Sequence, residues 1–174
     1  MTADARRPAT IRRRIAALAY EALLLTAMAF VAGFVFLPFL PHDPTRQTLA
    51  VPSPFARAVM FCALAAAAGF YYVWCWSDGR RTLPQKTWRL RLLDRGGAPP
   101  TRARALVRYV ACWIGPALAL AAYALLGPRG HAANAAAFIA LGYCWAVVDR
   151  DRQFLHDRIA GTWLVQDARS DGKR

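Results

Sequence analysis

Lysine is almost missing from this chain: of 23 basic residues only Lys86 and Lys173 are lysine, and the rest are arginine. Acids are scarce too, 10 in 174 residues, so the net charge is +13. A soluble chain this basic would spread arginine over a solvated surface and meet nucleic acid. Here the charges are instead swept out of long apolar blocks, which make the chain 57% hydrophobic. That segregation argues against a nucleic-acid partner and for a single-domain integral membrane protein. Cysteine is sparse. Cys62, Cys75, Cys112 and Cys144 lie in or at the edges of the apolar blocks, without a CxxC pair or a histidine at metal-ligand spacing. They read as small hydrophobes packed between helices. There is no glycine-rich phosphate loop and no nucleophile–base–acid set, so neither an enzyme nor a cofactor or metal is expected. Internal repeats are also lacking, which argues against an ordinary inverted-repeat transporter.

What is present are four apolar blocks, near residues 15–37, 56–76, 105–126 and 132–148. The first could span about 30 Å of hydrocarbon at about 1.5 Å per residue. It follows a basic start, as a signal peptide does, but it is too long for an h-region and no small-residue cleavage site closes it. It reads as an uncleaved anchor that Pro38, Pro41 and Pro44 terminate. In the second block, residues 65–69 are all small, which lets another helix approach closely. Tyr71, Tyr72, Trp74 and Trp76 crowd its far end as an expected interfacial belt. The fourth block is the shortest and contains Asn134.

Basic residues fall in alternate segments. The N-terminal segment, the middle segment through Arg108 and the tail carry five, nine and six, against two and one in the other loops. The positive-inside rule then places both termini and the middle segment in the cytoplasm, provided the chain crosses four times. The fold class is thus an all-α membrane protein with four transmembrane helices. A cytoplasmic tail covers residues 1–11, the membrane domain 12–166 and a charged tail 167–174. The Ala/Arg/Pro-rich composition suits a bacterial inner membrane, with anionic lipid headgroups against the basic face.

The middle segment has pattern of its own. Residues 88–92 alternate apolar and basic side chains, and Asp94-Arg95-Gly96-Gly97 carries turn chemistry. Residues 162–165 are a second β-prone run after Gly161. The two could form a short cytoplasmic strand pair, or an interfacial segment anchored by Trp88 and Trp163.

Six charged or titratable residues stand out: Arg14, Glu21, Arg108, Asp149, His156 and Asp157. Glu21 lies about 10 Å along the first block, where a carboxylate must face the bundle. Arg14 is seven residues earlier on nearly the same face, and Arg108 enters in the third block. Together they make either a proton or cation site, or a buried ion pair locking the first helix to the third. His156-Asp157 follows the fourth block. The adjacent carboxylate can raise the imidazole pKa for proton handling, or Asp149, Asp151 and Asp157 can form salt bridges with nearby arginines.

These residues resemble the RDD family of membrane proteins, named for one Arg and two Asp. Arg13-Arg14 followed by Glu21 is similar to the family's first helix, with Glu21 where the family has Asp. Arg81-Thr82-Leu83-Pro84-Gln85-Lys86 resembles its Gly-Gln-Thr-Leu-Gly motif, with Arg81 for Gln and Pro84 for the second Gly. His156-Asp157-Arg158-Ile159-Ala160-Gly161-Thr162 resembles its His-Asp-x-x-Ala-Gly-Thr signature, and Trp145 and Asp149 resemble short members. The resemblance implies transport of ions or other ligands, with sodium/proton exchange attributed to some members. The expected function is cation or proton transport. The alternative is a non-catalytic scaffold or accessory subunit, with a homo-oligomer or another membrane protein as partner.

Overall fold

The computed structural model describes residues 9–36, 52–126, 137–151 and 153–167. In chain order the elements are α1 (Ile11–Phe36), α2 (Pro54–Trp76), α3 (Leu83–Thr87), β1 (Leu90–Asp94), α4 (Arg102–Cys112), α5 (Ile114–Leu126), α6 (Ala137–Val148), α7 (Leu155–Ala160) and β2 (Thr162–Gln166).

Three stretches are long and apolar enough to cross a bilayer: Ile11–Phe36, Pro54–Trp76 and Arg102–Leu125. The 26 residues of α1 reach about 39 Å. This helix starts before the expected residue 15, because the arginine triplet is itself helical: Arg14 N donates to Thr10 O at 3.1 Å. At the start of α2, Ser53 Oγ caps Ala56 N at 3.2 Å and Pro54 occupies the first turn, where no N–H is needed. The third block is a kinked pair, α4 and α5, broken at Trp113. Pro116 explains the break, since it cannot donate to the Cys112 carbonyl four residues back. Of the fourth block, the described part is α6, at 12 residues too short by itself to span. Residues 132–136, with Asn134, and the loop prolines Pro38, Pro41 and Pro44 lie outside the described residues.

The helices meet where side chains are smallest. A Cβ on Gly115 would lie 2.9 Å from the Ile139 carbonyl, so α5 and α6 touch through backbone there. The ring of Tyr109 in α4 lies on Gly69 of α2, and its hydroxyl donates to Ala65 O at 2.6 Å. The small stretch 65–69 therefore serves close approach, as expected. Away from these contacts the surface is apolar: Leu23, Phe30 and Phe34 of α1, Phe70 of α2 and Leu120 of α5 are all exposed. Such a continuous apolar surface belongs in lipid.

Two expectations are corrected. Tyr72 and Trp76 are buried inside the bundle rather than standing in an interfacial belt, because they pack against each other with ring centroids 4.6 Å apart and against Tyr109. Trp74 does face outward, with the Arg80 guanidinium 4.0 Å from its ring. The four cysteines are free thiols, but Cys62 and Cys144 are exposed on helix surfaces rather than packed between helices.

The strand pair exists. β1 and β2 run antiparallel, with Leu90 opposite Gln166, Leu92 opposite Leu164 and Asp94 opposite Thr162. The first strand starts two residues later than the alternation suggested. Trp88 instead caps α3, and Arg89 takes a left-handed conformation (φ 54°) to enter the strand. At the other end Asp94 Oδ1 accepts from Ala98 N at 2.9 Å, the side-chain turn its sequence predicts. Leu90, Leu92 and Leu164 join the core cluster with Ala17, Tyr72 and Trp76, so the sheet closes one end of the bundle.

Candidate functional site

Arg14 lies in the first turns of α1 and is 1% exposed. Its guanidinium donates to Ala9 O (2.9 Å), to Leu164 O (2.9 Å) and to Gln153 Oε1 (3.3 Å). It thereby ties the start of the helix to β2 and to the segment before α7. Buried carbonyls that accept from a cation are strongly held.

Arg108 comes from α4, on the same face as the buried Ala105 and Ala111. It is ion-paired with Asp157 of α7, which is fully buried. It also donates to Thr162 Oγ1 at 3.1 Å, and its Nη2 lies 3.4 Å from His156 Nε2. Burial, then the charges of Arg108 and Arg14, push the His156 imidazole well below its ordinary pKa. A neutral ring accepts from Arg108 at Nε2 and carries its proton on Nδ1. The carboxylate next in sequence does not raise the pKa, as adjacency suggested, because desolvation and two guanidiniums outweigh it.

Asp149 holds a separate knot. It accepts from Gln153 N at 2.9 Å and pairs with Arg158 at 3.0 Å, while Asp151 pairs with the same guanidinium at 3.0 Å. The salt-bridge alternative for this segment therefore describes Asp149 and Asp151.

Glu21 turns inward. Its Oε1 accepts from Thr82 Oγ1 at 2.8 Å. Thr82 begins α3 with a reciprocal capping box: Gln85 N donates to Thr82 Oγ1 at 3.3 Å and Thr82 N donates to Gln85 Oε1 at 3.0 Å. Pro84 fits the first turn of α3, so its replacement of glycine is accommodated. The motif segment thus places one hydroxyl on the acid of α1. Neither Arg14 nor Arg108 pairs with Glu21 directly, in contrast to the compact ion cluster expected.

These groups surround a cavity of about 280 Å³. Arg14, Glu21, Gln85, Arg108 and His156 supply its polar wall, and Tyr72, Trp76, Tyr109, Trp113, Tyr143 and Phe154 its aromatic one. Among the described residues no group of histidine, cysteine or acid side chains is arranged to hold a metal ion.

The profile of the RDD family matches residues 8–161. The chain belongs to the RDD family. No curated protein and no solved structure matches it. The three positions that carried the resemblance, Arg14, Glu21 and Asp157, converge on this one chamber: Arg14 and Glu21 in its wall, Asp157 behind Arg108. In this RDD protein the middle motif, Arg81–Lys86, completes the set through Thr82. Sequence reasoning missed Thr82, Gln153 and Thr162 as partners. The Thr82-x-x-Gln85 capping signature was readable, but its tertiary target was not.

Proposed function

We propose that this RDD-family protein is a transporter of the bacterial inner membrane that moves a proton and admits a small ligand to the same cavity, with Glu21 as the proton carrier. The observation that carries this reading is the position of Glu21. It sits on the cavity wall about two-fifths of the way along α1, and among the described residues its direct partner is a neutral hydroxyl. The other acids near the chamber are held by arginine: Asp157 by Arg108 and Asp149 by Arg158. A carboxylate without an ion pair can gain and lose a proton with little rearrangement. Two guanidiniums in the same wall disfavour a passing metal cation, so a proton fits better than sodium.

In this reading the chain crosses four times, residues 132–148 completing the last crossing, with both termini in the cytoplasm. The alternating distribution of basic residues supports that orientation. In the same reading anionic headgroups lie against the basic face, and the outward-facing Arg80–Trp74 pair supports it. The test is proton flux into proteoliposomes under an imposed pH gradient. Wild-type protein should acidify the lumen, and Glu21→Gln, which keeps the Thr82 contact, should abolish the flux. Flux unchanged in Glu21→Gln would sink the idea.

A non-catalytic scaffold is the second reading. It is favoured by the use of Arg14, Arg108 and Asp157 as cross-links and by exposed basic side chains such as Arg102, available to a protein partner or a second copy. It predicts no flux from any variant.

A further inference from the structure

The charged groups of the chamber wall are committed to the protein in unequal degrees. The Arg108 guanidinium lies against Asp157, which is fully buried, and stacks 4.7 Å from the Trp76 ring centroid. Arg14 donates to three oxygens and lies 5.9 Å from the Phe154 ring centroid. Each arginine thus already has its oxygen partners and a ring face. Glu21 is the single acid in the wall among the described residues, and it is only half-buried. Of its two oxygens, Oε1 alone has a partner there, the Thr82 hydroxyl. In an apolar setting a carboxylate with an open oxygen is stabilised by a proton or by another positive charge.

The remaining rings define that other charge. Tyr72, Tyr109, Trp113 and Tyr143 line the chamber, and among the described residues none of them carries a guanidinium. The Tyr109 ring is fixed by its hydroxyl on Ala65 O, with the Tyr72 and Trp113 rings 6.2 and 6.1 Å away, so these faces are set in advance. Aromatic faces attract a cation, above all a substituted ammonium. A metal ion would need several oxygens in place of its hydration shell, and the chamber offers it one carboxylate. An ammonium needs only that carboxylate and brings apolar surface to the rings. A volume of about 280 Å³ lies just under the range of drug-sized pockets, so the occupant is small. With two guanidiniums in the wall a second positive charge is costly, so it is monovalent.

We propose that the chamber binds a small monovalent organic cation, an ammonium with an apolar or aromatic body, in exchange for the proton on Glu21. Its charge lies at the open oxygen of Glu21 and its body among the four remaining rings. A proton on Glu21, or a monocation beside ionised Glu21, leaves the chamber with the same net charge, so the two replace each other one for one and no covalent step is involved. The titratable groups that face Glu21 across the chamber are Tyr72 from α2, Arg108, Tyr109 and Cys112 from α4, Tyr143 from α6 and His156 from α7, with Arg14 on its own helix. The α3 segment presents the neutral Thr82 and Gln85. This rests on the reading of Glu21 as the proton carrier.

The test is calorimetric titration of the full chain in nanodiscs with benzyltrimethylammonium, whose charge does not change with pH, and with benzoate as a ring of opposite charge. The cation should bind saturably and at least about tenfold more tightly than benzoate. Its affinity should fall as pH drops from about 8 to about 6, and heats compared in phosphate and Tris buffers should show a proton released on binding. Glu21→Gln, which keeps the Thr82 contact, should weaken the cation at least about tenfold and remove both the pH dependence and the proton release. Glu21→Asp should recover most of that binding. Tyr143→Leu should weaken the cation about five- to tenfold, and Tyr143→Phe, which restores a ring face, should recover most of the loss. Absence of saturable binding, equal binding of benzoate, or wild-type affinity in Glu21→Gln each overturns the proposal. If proton flux still depends on Glu21 after such a result, the cation site alone has failed. If the cation binds with proton release but no Glu21-dependent flux exists, the site stands and the transport reading falls.

Discussion

The two halves of α1 share one helix and almost nothing else. In the first half Arg14 is 1% exposed, Ala17 is buried and Glu21 reaches Thr82. In the second, Phe30, Val31 and Phe34 are 60% exposed or more, and Thr26 turns its hydroxyl back to Ala22 O in its own helix at 2.8 Å. The difference follows from the solvent. In lipid, apolar side chains gain little by leaving their surroundings, so contact between apolar helix faces has no strong driving force. Helix placement then depends on polar groups and small residues. The polar groups are concentrated at the end of the bundle closed by the sheet, where α3, α7 and β2 meet α1 and α4. That end fixes the arrangement, and the apolar end follows it.

The largest way to break this contrast is to unpair the most deeply buried charge. Asp157→Ala leaves Arg108 desolvated without its carboxylate and should cost about 3–5 kcal/mol. Adding Arg108→Leu to it should recover part of the loss, since neither charge of that pair is then left buried without its partner. Thermal melts in detergent of both single variants and the double decide this. A double variant as unstable as the sum of the singles would show that the pair is not coupled.

Next in size is an effect of pH at the same end. The folded-state pKa of His156 is depressed, so below the ordinary value near 6.5 the unfolded chain binds a proton that the folded chain refuses. Stability should therefore be full above about pH 6.5 and fall as pH drops below it, by at most about 1.4 kcal/mol per unit for the one proton. His156→Gln, which can still accept from Arg108, should flatten that slope. An equal slope in both proteins would assign the acid sensitivity elsewhere.

The apolar end was the legible one in the sequence. Long runs without charge point to membrane helices, and length sets their reach, so the three helices long and apolar enough to cross a bilayer fall close to residues 15–37, 56–76 and 105–126. The kink at Trp113 was readable in Pro116 but needed the helix register to interpret. At the polar end the right residues were legible and their partners were not. Arg14, Glu21, Arg108 and Asp157 stood out because a charge in or beside an apolar run demands a partner. Which partner depends on how α7 and the sheet dock, and that is decided by contacts such as Arg108 with Thr162, 54 residues apart. The strand pair was visible from its alternation, but its start slid from 88 to 90 because Arg89 takes up the turn. His156 misled because adjacency in sequence to Asp157 says nothing about burial beneath two arginines.

A smaller effect isolates the hydroxyl that joins the two motif segments. Thr82→Val keeps the shape but removes the cap of α3 and the contact to Glu21. It should cost about 1–2 kcal/mol, the usual worth of a cap and one buried hydrogen bond. Thr82→Ser should recover most of that loss in the same melts. A Val variant as stable as wild type would mean that α3 is held by the sheet alone.

The smallest effect compares two glycines. Gly115 lies where α5 crosses α6, and a Cβ there would meet the Ile139 carbonyl oxygen at 2.9 Å. That oxygen belongs to a helix backbone and cannot rotate away, so Gly115→Ala must push the helices apart and should cost about 1 kcal/mol. Gly33 sits in the apolar half of α1 with nothing within 4 Å of its would-be Cβ. There the added methyl meets no protein atom, and the better helix propensity of alanine remains, so Gly33→Ala should be neutral or stabilising by up to about 1 kcal/mol. The two variants carry the same chemical change on two membrane helices, so the opposite signs measure packing alone. A destabilised Gly33→Ala would mean that this half of α1 is covered by another helix, from this chain or a second copy, and the contrast between the two ends would have to be redrawn.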